Sequence, residues 1–168
     1  ELMRVTVDGA TEPLIVKAKE DFTLGEGEHR AFTLSVGKEY IEADENTTAE
    51  ALQNAIAAKL AAGETDIRIK LAEDADATMF SAITAALAAD GIEEGSIDLT
   101  ISGAKTVPEY GFFDYDYYSD NNDKNIAGDK LKSLTLTDVE TIGEYAFAAC
   151  TYLESVNLPQ VVTIGECA

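Results

Sequence analysis

The sequence predicts an α/β solenoid of parallel strands in a right-handed coil. Two helix-bearing units open it, and a small β-rich segment precedes them. Three offsets carry that expectation. Thr141-Ile142-Gly143-Glu144 returns at an offset of 22 as Thr163-Ile164-Gly165-Glu166. The surroundings return with it: Leu131 falls on Leu153, Leu134 on Val156, Leu136 on Leu158, Val139 on Val161 and Ala146 on Ala168, while Thr135 and Asn157 stay polar. An earlier copy lies at an offset of 35, placing Leu99 on Leu134, Ile101 on Leu136, Ala104 on Val139, Val107 on Ile142, Tyr110 on Tyr145 and Phe112 on Phe147. In the middle of the chain Ile67, Ile69 and Leu71 precede Ile97, Leu99 and Ile101 at an offset of 30. A fixed period in this range marks units that bury their apolar edges only against their neighbours.

Taken in order, residues 1–46 read as β. "LMRVTV" (2–7), "LIVKA" (14–18) and "AFTLSV" (31–36) run or alternate apolar between turn-rich stretches. This segment is either the tail of an upstream β-sandwich or a small sheet capping the solenoid. From 47 the period changes. "TTAE" (47–50) is a capping box in which Thr47 reaches the Glu50 amide, and Leu52, Ile56 and Leu60 follow at helical spacing until Gly63. "DIRIKL" (66–71) is a strand. Met79, Phe80, Ile83, Ala86 and Leu87 form a second helical stripe stopped by Gly91, and "IDLTIS" (97–102) is the next strand. A strand–helix–strand crossover between parallel neighbours is right-handed almost without exception, which sets the hand of the coil. Residues 47–168 are thus one solenoid. Its compact units place about five or six apolar side chains inward, at roughly 1.5–3 kcal/mol for each one fully buried. Backbone entropy of about 1–2 kcal/mol per residue offsets most of this, so no single unit is expected to fold alone.

The offset of 35 is the shorter offset of 22 lengthened by an insertion, in "DYDYYSDNNDKNIAGDK" (114–130). A longer surface loop costs little extra closure entropy, so a solenoid tolerates it. Asp114, Asp116, Asp120 and Asp123, with Asn121, Asn122 and Asn125, offer oxygen donors suited to calcium. Tyr118 and Ser119 stand at the fifth and sixth places of an EF-hand frame, where a donor and a glycine belong, so that pattern fails. A solvated polar loop explains the same residues. Tyr115, Tyr117 and Tyr118, interleaved with acids, offer amphipathic contact area for a partner; local packing over the solenoid edge is the plainer reading.

These residues resemble the BspA-type (Treponema-type) leucine-rich repeat of bacterial surface proteins over about residues 96–168. Its pattern runs Cys-x-x-Leu-x-x-Ile-x-Leu-Pro-x-Val-x-x-Ile-x-x-x-Ala-Phe. Cys150, Leu153, Val156, Leu158, Pro159, Val161, Ile164 and Ala168 fill it, and Ala146-Phe147 fills its end one unit earlier. Thr137 stands where the preceding copy should have Pro. The resemblance implies a short parallel strand per unit and an exported or surface-attached protein associated with adhesion and host-protein binding. After Ala168 the pattern calls for Phe and a further unit, and Glu1 stands where an initiator Met would, so the chain reads as a fragment cut mid-repeat. "EHRAFTLSVGKEYIEA" (28–43) resembles the closing strand of fimbrillin-like domains of anaerobic gut bacteria.

Composition narrows the function. A hydrophobic content of 46% opposes disorder. A net charge of −20 opposes nucleic-acid and anionic-membrane binding, both of which need cationic surface, and suits a solvated, exposed protein. No stretch approaches the roughly 20 apolar residues of a membrane span. Two cysteines are no disulfide scaffold. Cys150 falls on the core cysteine of the repeat, Cys167 on the place of Tyr145, and free thiols are expected over a bridge between them. No enzyme motif stands out. The single His29 has no partner to make it a base or ligand, and "GEGEH" lacks the Lys and context of a phosphate loop. Gly143 and Gly165 sit in turns, where backbone freedom accounts for them.

The expectation is a noncatalytic adhesion or protein-interaction module, extracellular or on the cell surface, needing no cofactor unless the acidic loop holds calcium. Its partner would be a host or cell-surface protein or glycan. A structural spacer displaying a neighbouring domain and an accessory binding domain of a surface enzyme are the alternatives.

Overall fold

The computed structural model describes residues 2–5, 14–17, 39–113 and 126–168. The chain divides into two units, Glu1–Gly37 and Lys38–Ala168. In the first, β1 (Leu2–Val5) pairs antiparallel with β2 (Leu14–Lys17), Leu2 opposite Lys17 and Val5 opposite Leu14. The expected strand at 31–36 and His29 lie outside the described residues.

The second unit is α/β with two parallel sheets. The larger has five strands in the order β3 (Ile41–Ala43), β4 (Asp66–Leu71), β5 (Ile97–Ser102), β7 (Leu131–Leu136), β9 (Ser155–Asn157). The smaller has three, in the order β10 (Thr163–Ile164), β8 (Thr141–Ile142), β6 (Thr106–Val107). Every pairing in both sheets is parallel. Strand β3, which the sequence groups with the N-terminal segment, belongs to the five-stranded sheet: the division falls at Gly37, not at 46.

Helix α1 (Ala49–Ala61) connects β3 to β4, and α2 (Ala77–Leu87) connects β4 to β5. The cap of α1 is one residue later than expected. Thr48 Oγ1 accepts from Ala51 N at 3.2 Å, while Thr47 Oγ1 turns back to accept from Asp44 N at 3.0 Å and donate to its carboxylate. Both threonines offer a hydroxyl, so spacing alone could not separate them; the Asp44 side chain captures the first. Leu52 and Ile56 are fully buried. Gly63 closes the helix as expected, with φ +83° and its N–H on Leu60 O. Helix α2 is capped by Asp76, which accepts from the amides of Thr78 and Met79. It buries Phe80, Ile83, Ala86 and Leu87.

Strands β4 and β5 occupy the expected ranges, and their burial alternates strictly. Ile67, Ile69, Leu71, Leu99, Ile101, Leu134 and Leu136 face the core with the helices; the residues between them face out. Register confirms two of the three offsets. Leu99 pairs with Leu134 and Ile101 with Leu136, at 35; Leu134 pairs with Val156, at 22. The smaller sheet keeps both, with Thr106, Thr141 and Thr163 in one row and Val107, Ile142 and Ile164 in the next. The third offset is corrected: Ile67 pairs with Leu99 and Ile69 with Ile101, an offset of 32 instead of 30. A slip of two places returns every side chain to the same face, so apolar alternation cannot distinguish the two registers. A bulge opposite Ile97/Asp98 leaves Lys132 exposed and brings Leu131 inward.

The insertion is shorter as a loop than its sequence suggests. Ile126–Asp129 forms a helical turn, α3, packed against α2, with Ala127, Gly128 and Asp129 buried. Asp129 Oδ1 accepts from Thr151 Oγ1 at 2.6 Å, which satisfies the buried carboxylate.

Gly143 and Gly165 are also explained differently. Neither has positive φ. A Cβ on Gly143 would collide with the backbone of Pro108 (carbonyl carbon at 2.6 Å) and Glu109; one on Gly165 would lie 2.6 Å from Glu144 N. Glycine is there because the turn beneath passes too close for a side chain.

Candidate functional site

A parallel sheet is ordinarily covered on both faces. Here α1 and α2 pack on one face, and on the other the alternate residues of the central strands are polar and half-buried among the described residues. Register lines them up across strands. Arg68, Thr100, Thr135 and Asn157 form one row; Asp66, Asp98, Ser133 and Ser155 form the row beside it. At about 4.8 Å between strands, each row spans roughly 14 Å.

Two ion pairs lie on this face. Arg68 Nε donates to Asp66 Oδ1 at 3.0 Å, and Lys70 Nζ lies 3.2 Å from Glu42 Oε2. Ser133 Oγ donates to Asp98 Oδ1. What the face offers a ligand is a grid of hydroxyl, amide and paired charged groups at strand spacing. This suits hydrogen bonding to an extended polar surface. The polar identity of Thr135 and Asn157 is visible in the sequence, but joining them to Thr100 and Arg68 requires the correct register.

Rings stack between the same turns. Tyr110 lies on Tyr145 with centroids 5.5 Å apart, and Phe112 lies on Phe147 at 5.3 Å; Phe112 also meets Phe80 edge-on. Tyr110, Tyr145 and Cys167 share a left-handed backbone, with φ of 56°, 52° and 52°. Residues other than glycine seldom adopt it, so its recurrence at offsets of 35 and 22 marks these as equivalent turns. The Cys167 thiol beside Tyr145, and the hydrogen bond between them, push the tyrosine's pKa up.

Neither Cys150 nor Cys167 is in a disulfide. Burial, reinforced by the Asp129 charge, pushes the Cys150 thiol up to about 12, which keeps it protonated and unreactive at neutral pH. Asp114, Asp116, Asp120, Asp123, Tyr115, Tyr117 and Tyr118 lie outside the described residues. The residues flanking them, Phe113 and Ile126, line a cavity of about 660 Å³ with Phe80, Ser81, Thr84 and Tyr110. Among the described residues no cluster of three or more His, Cys, Asp or Glu is placed to hold a metal ion, and no helix is long and apolar enough to cross a membrane.

The chain matches no protein-family model, no curated protein and no solved structure.

Proposed function

We propose that the second unit, Lys38–Ala168, forms a right-handed leucine-rich repeat solenoid of the BspA type. In this reading the chain is a noncatalytic adhesion or protein-interaction module of a secreted or cell-surface bacterial protein. The observation that carries it is the open polar face of a parallel sheet. The hydrogen-bonding rows that face displays are half-buried across its central strands and exposed at β9, and are surface a partner can use. The partner is a host or cell-surface protein or a glycan, contacted by the rows through Arg68, Thr100, Thr135 and Asn157. The Tyr115–Tyr117–Tyr118 cluster would add a second contact.

Probing host-matrix proteins and a glycan array with the chain tests this. The double variant Thr100→Arg, Thr135→Arg crowds the face without touching the core. It is expected to lose binding while melting within a few degrees of the parent. Undiminished binding by that variant would remove the sheet face from the interaction. Deleting 114–125 separately measures the loop's share.

A further inference from the structure

The turn between β3 and α1 carries Asn46-Thr47-Thr48, an asparagine with a hydroxyl residue two places on and no proline between them. An oligosaccharyltransferase reads that spacing when it attaches a glycan to an asparagine side chain. Of the six asparagines in the chain, only Asn46 has it. A pattern this short recurs by chance; what distinguishes this copy is where the fold puts it.

Strand β3 ends at Ala43 and α1 begins at Ala49, so none of the three residues belongs to a strand or helix. Residues 44–47 close a hydrogen-bonded turn, with Thr47 N donating to Asp44 O at 3.0 Å, and Asn46 stands exposed at its third place. The backbone there is held: Asn46 N donates to Asp44 Oδ1 at 3.0 Å, and the Thr47 hydroxyl donates to the same oxygen at 2.9 Å. The Asn46 carboxamide, by contrast, hydrogen-bonds to nothing among the described residues and is left to solvent. Thr48 is exposed too. Its oxygen accepts from Ala51 N as the cap of α1, which leaves the hydroxyl proton unused. Asn54 lies inside α1 and Asn157 inside β9, where the backbone is committed to regular pairing.

We propose that Asn46 is an acceptor site for an N-linked oligosaccharide delivered from a polyprenyl-diphosphate carrier. In the transfer, Asn46 Nδ2 bonds to C1 of the first sugar and the bond from C1 to the diphosphate oxygen breaks. One amide proton is released and the polyprenyl diphosphate leaves, with nothing oxidised or reduced. The site rests on the exported or surface location in the reading above, because asparagine glycosylation belongs to secreted chains. It does not rest on the sheet face. Asn46 lies past the C-terminal end of β3, outside the rows through Asp66 and Arg68, so a glycan there leaves the rows free.

The test uses the purified, folded whole chain with a purified bacterial oligosaccharyltransferase and a polyprenyl-diphosphate oligosaccharide as donor. A cell-free reaction asks whether the turn is an acceptor, not where the protein resides or what its sheet face binds, so the two readings fail separately. Intact mass is expected to rise by one glycan, and peptide mapping to place it on Asn46. Asn46→Gln should abolish the gain while melting with the parent, since that side chain holds nothing in place. Thr48→Val should abolish it as well. Because Thr48→Val also removes the α1 cap, Thr48→Ser is its companion: it keeps the hydroxyl and should keep the transfer. A mass gain that survives Asn46→Gln or Thr48→Val overturns the proposal, as does loss of transfer in Thr48→Ser. So does failure to modify the folded chain, including the case in which a synthetic peptide of residues 42–50 is modified and the chain is not.

Discussion

Gly143 and Gly165 show how a residue's cause can differ from its usual one. The sequence does carry the clue: the residue equivalent to Gly143 one turn earlier is Pro108, whose ring holds φ in the ordinary negative range. A place that accepts proline needs no left-handed backbone. Glycine is required only where another turn lies beneath, and β6, ending its sheet, has none. Gly143→Ala must push backbone against backbone and is expected to cost about 3 kcal/mol. Gly91→Ala meets open space and bears only left-handed strain, roughly 1 kcal/mol. Urea unfolding of the two variants measures the difference.

Asp138 makes a second residue-scale prediction. Its carboxylate accepts from Gly103 N at 2.9 Å and Thr137 Oγ1 at 2.7 Å, and these bonds, the first foremost, hold its pKa below the ordinary aspartate value. A depressed folded pKa stabilises the fold above the unfolded value, and that stability is lost as pH falls through the folded one. Asp138→Asn lacks the charge-dependent part. The gap in melting temperature between parent and variant is therefore expected at neutral pH and should close in strong acid. Comparing the two at each pH cancels the effect of net charge.

At the scale of elements, periodicity locates strands and helices well because each buries one face. Asp66–Leu71 and Ile97–Ser102 show full alternation, and the helical stripe from Phe80 to Leu87 is buried as spaced. Pairing is less legible. The offsets of 35 and 22 are anchored by many unlike residues, including Tyr110 on Tyr145 and Phe112 on Phe147. The offset of 30 rests on three aliphatic residues in alternation, and two of them, Ile67 and Ile69, meet aliphatic partners at 32 as well. Capping is ambiguous for a similar reason, two adjacent threonines. Since Thr48 holds the α1 amide, Thr48→Ala is expected to cost about 1 kcal/mol. Chemical denaturation of that variant should show a loss of this size.

Over the whole molecule, the sequence conveys parallel stacking but not how the insertion ends. Read as polar loop through residue 130, it becomes a buried turn at Ile126–Asp129, because Ala127 and Gly128 are small enough to pack on α2 and Thr151 satisfies Asp129. The open sheet face is half legible: its polar residues are plain, its rows are not. The net charge of −20 acts at this scale too. Self-repulsion opposes the compact state and salt screens it, so the melting temperature should rise between low and physiological ionic strength.

Stacking of successive stretches in parallel is what the polar rows depend on, and nuclear Overhauser spectroscopy of the labelled 18.0 kDa chain reads it directly. Close contacts between backbone protons of β5 and β7 are expected at an offset of 35, and between those of β7 and β9 at 22, with none of the short Hα–Hα contacts of antiparallel strands. Absence of the Leu134–Val156 contacts, or Hα–Hα contacts in their place, would contradict it.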